Sequence, residues 1–172
     1  MRLSFESPAG GYLYVFDREI YADGTVGEPY QIFPTMLARS GNNRIQAGSL
    51  IDIPAQSDGS PYFELKSSNS NWRGELLTII LSPEPLADIG MPDKPSPISA
   101  AIIGALEDKY LKPAGEYEQN GTAGQSYTKT EKEAGGVGTR QLTQDDPFPQ
   151  TVYRVKTRAK EPMLINLSLS VK

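Results

Sequence analysis

The chain contains neither histidine nor cysteine, and this limits the catalytic and metal-binding sites that it can form. Their absence excludes Ser-His-Asp and Cys-His catalysis, and it also excludes zinc sites built on histidine or cysteine. Three options remain: a Ser-Lys pair, a pair of carboxylates, or a magnesium or calcium ion held by oxygen ligands.

Three short motifs match such chemistry only in part. Ser126 and Lys129 have the S-x-x-K spacing of penicillin-binding enzymes, but their segment is polar and glycine-flanked instead of opening a buried helix. The Gly-Val-Gly run at 136–138 lacks the third glycine and the preceding strand of a dinucleotide site. The acidic pair at 145–146 lacks the spaced acidic loop of a calcium site. We therefore predict a protein with no catalytic residues, no cofactor and no metal, and we keep a Ser-Lys or carboxylate hydrolase as an alternative.

Two surface features are candidates for partner binding. Trp72, the only tryptophan, stands in a polar stretch beside Arg73, a pairing typical of interaction hot spots. In the other interpretation, Trp72 folds back and caps the end of the fold. Arg154, Lys156 and Arg158 alternate along a predicted strand and form a basic row in an acidic protein. That row suits an acidic partner or an anionic polymer, or it simply protects a solvated strand from edge pairing.

Four tyrosines support a carbohydrate-binding alternative, because aromatic rings on one surface stack against sugars. They are Tyr12, Tyr14, Tyr30 and Tyr62. Tyrosine is also a common strand residue that packs in or near the core. The sequence therefore leaves open whether these rings line a polysaccharide-binding face or belong to the interior.

Short apolar segments separated by turns dominate the first half of the chain and predict a β-sandwich or barrel. The predicted strands are 11–17, 29–33, 50–53, 62–66 and 74–81. In the first of these, Tyr12, Tyr14 and Phe16 alternate with Leu13 and Val15. Both faces are apolar, which is typical of a central strand covered on both sides.

The second half is predicted to hold one helix and two further strands. Ser96 and Pro97 suit the N-cap and first position of a helix over 97–111. The polar, glycine-rich segment 114–141 is predicted to be a flexible loop. Alternating strands over 151–158 and 164–171 are predicted to form a hairpin that packs on the first half. We therefore expect one domain over 1–172, with sandwich strands in 1–86 and 148–172 and an insertion over 87–147.

The net charge argues against binding to nucleic acid, and the hydropathy argues against a membrane-spanning segment. The net charge is −4 and the isoelectric point is about 4.9, so bulk electrostatic binding to nucleic acid is not expected. No apolar stretch is long enough to span a membrane.

Several segments resemble a bacterial domain of unknown function, the family numbered forty-three eighty-four. They are the strand beginning Gly11-Tyr12-Leu13, the turn Asp23-Gly24, and the short runs Ile32-Phe33-Pro34, Asn43-Arg44-Ile45, Ala47-Gly48, Ile53-Pro54, Phe63-Glu64-Leu65, Gly74-Glu75-Leu76-Leu77 and Ser82-Pro83. The resemblance covers about residues 1–85 and implies an Ig-like antiparallel β-sandwich that accompanies other domains in exported or envelope-associated proteins. We therefore expect a non-catalytic interaction module whose partner is another protein, another domain of its parent chain, or a polysaccharide.

Overall fold

The computed structural model describes residues 1–111 and 161–170, together with the backbone of two short strands at 118–120 and 152–154. The described part is mostly β, with antiparallel sheets and one helix. Its elements are β1 (Leu3–Phe5), β2 (Gly11–Tyr21), β3 (Tyr30–Phe33), β4 (Arg44–Ile45), β5 (Ile51–Ile53), β6 (Trp72–Ser82), β7 (Ser96–Pro97), α1 (Ala100–Tyr110), β8 (Glu118–Asn120), β9 (Val152–Arg154) and β10 (Met163–Ser170). No helix in this part of the chain has the length and apolar character needed to cross a membrane.

The main sheet has six strands in the order β10-β6-β2-β3-β7, and β4 pairs with the start of β2. Its centre is formed by β2 and β6, which are both 11 residues long and pair along almost their whole length. β10 extends the sheet beyond β6, from Met163 opposite Leu81 to Ser170 opposite Gly74. A separate two-stranded sheet joins β1 to β5.

Both faces of the main sheet are covered. Leu13 and Val15 point into one core, where the β1–β5 sheet contributes Ile51 and Ile53. Tyr14 and Phe16 point into a second core on the opposite face, where α1 contributes Ile103. The alternation predicted for this strand is therefore confirmed, because a strand that is buried on both sides needs apolar residues at every position.

Helix α1 begins later than the sequence predicts. Its N-cap is Ser99, whose hydroxyl accepts a hydrogen bond from the backbone N–H of Ala101 at 3.3 Å. Ser96 and Pro97 form β7 instead and pair with Tyr30 and Gln31 of β3. Proline is tolerated at the edge of a sheet because its missing N–H costs no ladder hydrogen bond there.

A polar network joins α1 to the sheet. The Arg18 guanidinium pairs with the Glu107 carboxylate and also donates to the Thr78 hydroxyl at 2.9 Å. The amide of Asn166 donates to the same Glu107 oxygen at 3.0 Å. Because Arg18, Thr78 and Asn166 lie on three adjacent strands, one carboxylate of the helix is bound to β2, β6 and β10 together.

The predicted strand over 62–66 is wrong. Phe63 exchanges two backbone hydrogen bonds with Met1, and no named strand includes this segment. Residues 62–65 of this segment line the pocket described below.

Of the two strands predicted near the end of the chain, the structure confirms the last one and describes only part of the other. Met163–Ser170 confirms the last one, with Ile165, Leu167 and Leu169 packed in the first core. β9 covers Val152–Arg154 of the strand predicted over 151–158 and pairs with β8. No pairing between β9 and β10 occurs among the described residues, so the predicted hairpin is absent from them. Most of segment 114–141, predicted to be a flexible loop, lies outside the described residues.

Candidate functional site

A pocket of about 480 Å³ opens on the face of β2 and β3 that carries the first core. Asp17 and Tyr30 reach it from the sheet, and Leu37 comes from the loop after β3. The rest of its wall includes four consecutive residues, from Tyr62 to Leu65. Pockets of roughly 300–1,000 Å³ with mostly apolar walls and a few polar groups are typical of sites for small ligands.

The pocket gathers apolar side chains that are unusually exposed. Tyr30, Leu37 and Tyr62 are 46%, 64% and 58% exposed, although all three line the pocket. Met36, which precedes Leu37 in the chain, and Met91 are also exposed, and the sulfur atoms of both lie close to Gly41. Exposed apolar groups that cluster around a concavity are typical of a binding surface.

One carboxylate links the two loops of the pocket wall. Asp58 accepts hydrogen bonds from the backbone N–H of Arg39 at 3.0 Å and of Ala55 at 2.7 Å. Arg39 and Ser40 both have positive φ, at 54° and 52°, a conformation that is costly for residues with a side chain. The hydrogen bonds to Asp58 help to hold this strained turn, which follows Leu37 and Ala38 of the pocket.

The segment between β6 and β7 is held against β3 by a buried amide. The Nε2 of Gln31 donates to the backbone carbonyls of Pro34 at 2.7 Å and of Gly90 at 2.9 Å. Gln31 is itself buried. These two bonds hold the segment that contributes Pro95 to the pocket.

Asp17 belongs to a buried pair of carboxyl groups. Its side chain contacts that of Glu75 on the neighbouring strand β6. Glu75 is only 3% exposed, and the atoms Asp17 Oδ1 and Glu75 Oε2 are buried without a donor among the described residues. Two buried carboxylates in contact repel one another, and one shared proton removes the repulsion and satisfies both oxygens.

The surroundings of the pair favour protonation. Burial raises the pKa of Asp17 to about 6. Burial also raises the pKa of Glu75 to about 8, with further contributions from the charges of Asp17 and Glu19. Between these values the pair holds about one proton, and Asp17 is the member of the pair that lines the pocket.

Trp72, predicted to stand in a polar loop, is the first residue of β6 and is half-buried. Its indole N–H donates to Oε1 of Glu75 at 3.1 Å. Arg73 is exposed, and its guanidinium donates to the backbone carbonyls of Ser70 and Trp72. The two residues therefore lie together at one end of β6, and their role in partner binding stays a prediction.

The predicted basic row falls largely beyond the described residues. Arg154 is described only through the backbone of β9, and Lys156 and Arg158 lie outside the described part. The motif residues Ser126 and Lys129 and the runs at 136–138 and 145–146 also lie outside it. Within the described residues, no group of three or more acidic side chains is arranged to hold a metal ion.

The four tyrosines divide between the two faces of the sheet. Tyr14 is buried and its hydroxyl accepts a hydrogen bond from the backbone N–H of Leu86 at 2.9 Å. Tyr12 packs in the same core as α1. Tyr30 and Tyr62, by contrast, meet at the pocket. Tyr30 and Tyr62 are therefore the two that line one pocket.

Sequence reasoning missed the Asp17–Glu75 pair, although a signal was present. Asp17 continues the every-second-residue spacing of Leu13 and Val15, and Glu75 begins the same spacing before Leu77 and Ile79. Each acidic residue therefore lies on the face of its strand that is otherwise apolar. An acidic residue on the core face of a strand is unusual, and two on neighbouring strands indicate a functional or shared-proton site.

No family model, curated protein or solved structure matches the chain. The family resemblance described from the sequence stays a prediction.

Proposed function

We propose that this protein is a non-catalytic binding module that receives its ligand in the pocket lined by Tyr30, Leu37 and Tyr62. The observation that carries the proposal is the exposure of these three apolar side chains around one concavity. Apolar surface left open in water is stabilised when a ligand covers it, by roughly 25 cal/mol per Å² of area buried.

The construction of the pocket supports the proposal. Its walls are held by backbone hydrogen bonds to Asp58 and Gln31, so little ordering is needed when a ligand enters. A pre-formed site loses less conformational entropy on binding than a flexible one.

A carbohydrate- or cell-wall-binding module is the second candidate. It is favoured by Tyr30 and Tyr62, because two tyrosines at one pocket suit stacking on sugar rings. Asp17 and Glu64 add carboxylates that accept hydrogen bonds from hydroxyl groups.

The family resemblance supports a finer proposal. We propose an Ig-like sandwich from a bacterial, exported or envelope-associated protein, whose partner is another protein or another domain of its parent chain. The β1–β5 sheet packed against one face of the main sheet is consistent with a sandwich.

The test is a nuclear magnetic resonance titration of the labelled protein with two panels, soluble cell-wall oligosaccharides and small aromatic compounds. We expect shifts at Tyr30, Leu37 and Tyr62 with one panel, and the responding panel decides between the two candidates. Tyr62→Ala and Leu37→Ala should weaken binding at least about fivefold, as expected for side chains that a ligand covers. Val26→Ala is the matched control, because Val26 is similarly exposed but does not line the pocket. Shifts confined to other surfaces, or equal effects of all three variants, would contradict the proposal.

A further inference from the structure

The pocket carries negative charge on a mostly apolar wall. Asp17 and Glu64 line it, and no lysine or arginine is among the described residues of the lining. Glu64 is exposed and pairs with exposed Lys66 at 3.0 Å, so its charge is partly offset. Asp17 has no such cationic partner among the described contacts and faces Glu75 instead.

Glu75 is a second, independent indication that a carboxylate at this site lacks a positively charged or hydrogen-bonding partner. Its side chain is almost fully buried, and one of its oxygens has no donor in the described part of the chain. The other oxygen is bound by the indole of Trp72. A buried carboxylate without a cation is costly, so the site is stabilised either by a proton or by a positively charged ligand.

We infer that the pocket binds a small organic ammonium ion, with its apolar body against Tyr30 and Tyr62 and its charged group on Asp17, and that its binding releases the proton that Asp17 shares with Glu75. The inference rests on the proposed function, because it names the ligand class of the same pocket. Carboxylates beside aromatic rings are a common way of recognising ammonium groups.

The groups that face Asp17 all favour this exchange. Glu75 on β6 and Glu19 on β2 are acidic, and their negative charges stabilise a cation bound at Asp17. Tyr30 lies opposite Asp17 on β3, and Glu64 stands on the loop side of the pocket with Lys66 as its partner. The proton that leaves the pair passes to the solvent, so one positive charge replaces another and the net charge of the site is preserved.

A direct consequence is that affinity rises with pH. The pair loses its protons over the range from about 6 to about 8. An alkylamine stays protonated over this range, since its pKa is close to the roughly 10.4 of lysine. An ammonium ion that lowers the pKa of its carboxyl partner by about one unit binds about tenfold more tightly once that carboxyl is ionised.

The experiment compares two soluble probes of the same shape, 2-phenylethylamine and the neutral 2-phenylethanol. Affinities are measured by chemical-shift titration of the full chain between about pH 5.5 and about pH 8.5, a range that spans the ionisation of the pair. We expect the amine to bind at least about tenfold more tightly at the upper limit than at the lower one. The alcohol should bind more weakly than the amine at high pH and show no dependence on pH.

Three variants locate the effect. Asp17→Asn should abolish the preference for the amine while leaving the alcohol bound, which also shows that the variant is folded. Glu75→Gln removes the partner in proton sharing, so the amine affinity should follow the ionisation of Asp17 alone, and the part of the pH dependence near about 8 should be lost. Glu84→Gln, at an exposed carboxylate that does not line the pocket, is the matched control. Loss of the preference in this variant, or its retention in Asp17→Asn, would overturn the inference.

The outcomes separate the inference from the proposed function. If neither probe shifts the pocket residues at any pH, the ammonium inference is overturned, and the oligosaccharide titration described above decides whether the pocket function stands. If both probes bind equally and without pH dependence, the pocket function stands and the ammonium inference falls. The pH dependence of amine affinity in the wild-type protein tests the ammonium inference even if a variant fails to fold.

Discussion

Arg18 of β2 and Glu107 of α1 form an ion pair across the interface between the main sheet and its helix. The side chains are only 14% and 20% exposed, so the pair is largely removed from water. Glu107 also accepts a hydrogen bond from Asn166 of β10. This one carboxylate therefore ties the helix to strands that lie far apart in the sequence.

Replacing Glu107 by alanine is expected to destabilise the protein by on the order of 2 kcal/mol, because it leaves a buried guanidinium without its partner. Denaturant unfolding measures the loss. Asp108→Ala is the control, since Asp108 is the exposed neighbour on the same helix. Equal stabilities for the two variants would contradict the anchoring role of Glu107.

The buried carboxyl pair predicts that stability falls as pH rises. The pKa values of Asp17 and Glu75 are raised from 3.8 to about 6 and from 4.5 to about 8 on folding. The folded state therefore binds protons more readily than the unfolded chain, and this contribution is complete below about pH 4 and is lost as pH passes through 6 and 8.

Glu75→Gln isolates this contribution, because glutamine keeps the acceptor for Trp72 but carries no charge. We expect the variant to gain several degrees in melting temperature over the wild type at about pH 8.5, and little or nothing at about pH 5. Glu84→Gln, at an exposed position, should track the wild type at both values. A difference between Glu75→Gln and the wild type that does not vary with pH would refute the pair.

Trp72 should report the ionisation of Glu75. It is the only tryptophan in the chain, and its indole nitrogen lies 3.1 Å from the Glu75 carboxylate. Ionisation places a full negative charge beside the indole, so we expect its emission to change with a midpoint near the Glu75 pKa of about 8. The change should vanish in Glu75→Gln, and persistence of the same midpoint there would assign it to another group.

Two glycines are expected to respond to alanine in opposite directions. A Cβ at Gly74 would lie 1.9 Å from the backbone oxygen of Leu169, so Gly74→Ala must push β6 and β10 apart. We expect a loss of at least about 3 kcal/mol, the scale of a severe steric defect. Gly104 lies inside α1 with open space around it, and Gly104→Ala should stabilise the helix by about 1 kcal/mol. Thermal unfolding of both variants checks the pair of predictions.

The sequence predicts those parts of the fold that depend on local periodicity. The alternation of Leu13 and Val15 with Tyr14 and Phe16 assigns each residue to its correct core. The period-two pattern of β10 does the same for Ile165 and Leu167, because burial on one face repeats with the pleat of the strand.

What the sequence does not predict depends on contacts between distant segments. Ser96 was predicted to cap the helix, but it pairs with Gln31 in β7, and Ser99 is the N-cap. The candidate site was predicted only in part, through Tyr30 and Tyr62. Asp17 and Glu75 come together only when the register between β2 and β6 is known, and local patterns contain no information on that register.

Asp17 and Arg18 are neighbours in the chain, and their side chains leave β2 on opposite sides. One belongs to the acidic pair at the pocket, and the other pairs with the helix. A slip of β2 by one residue would put a guanidinium into the pocket wall and a carboxylate against Glu107. The two opposite charges therefore stabilise one register of β2 over the registers shifted by one residue. Exchanging Asp17 and Arg18 should favour a shifted register.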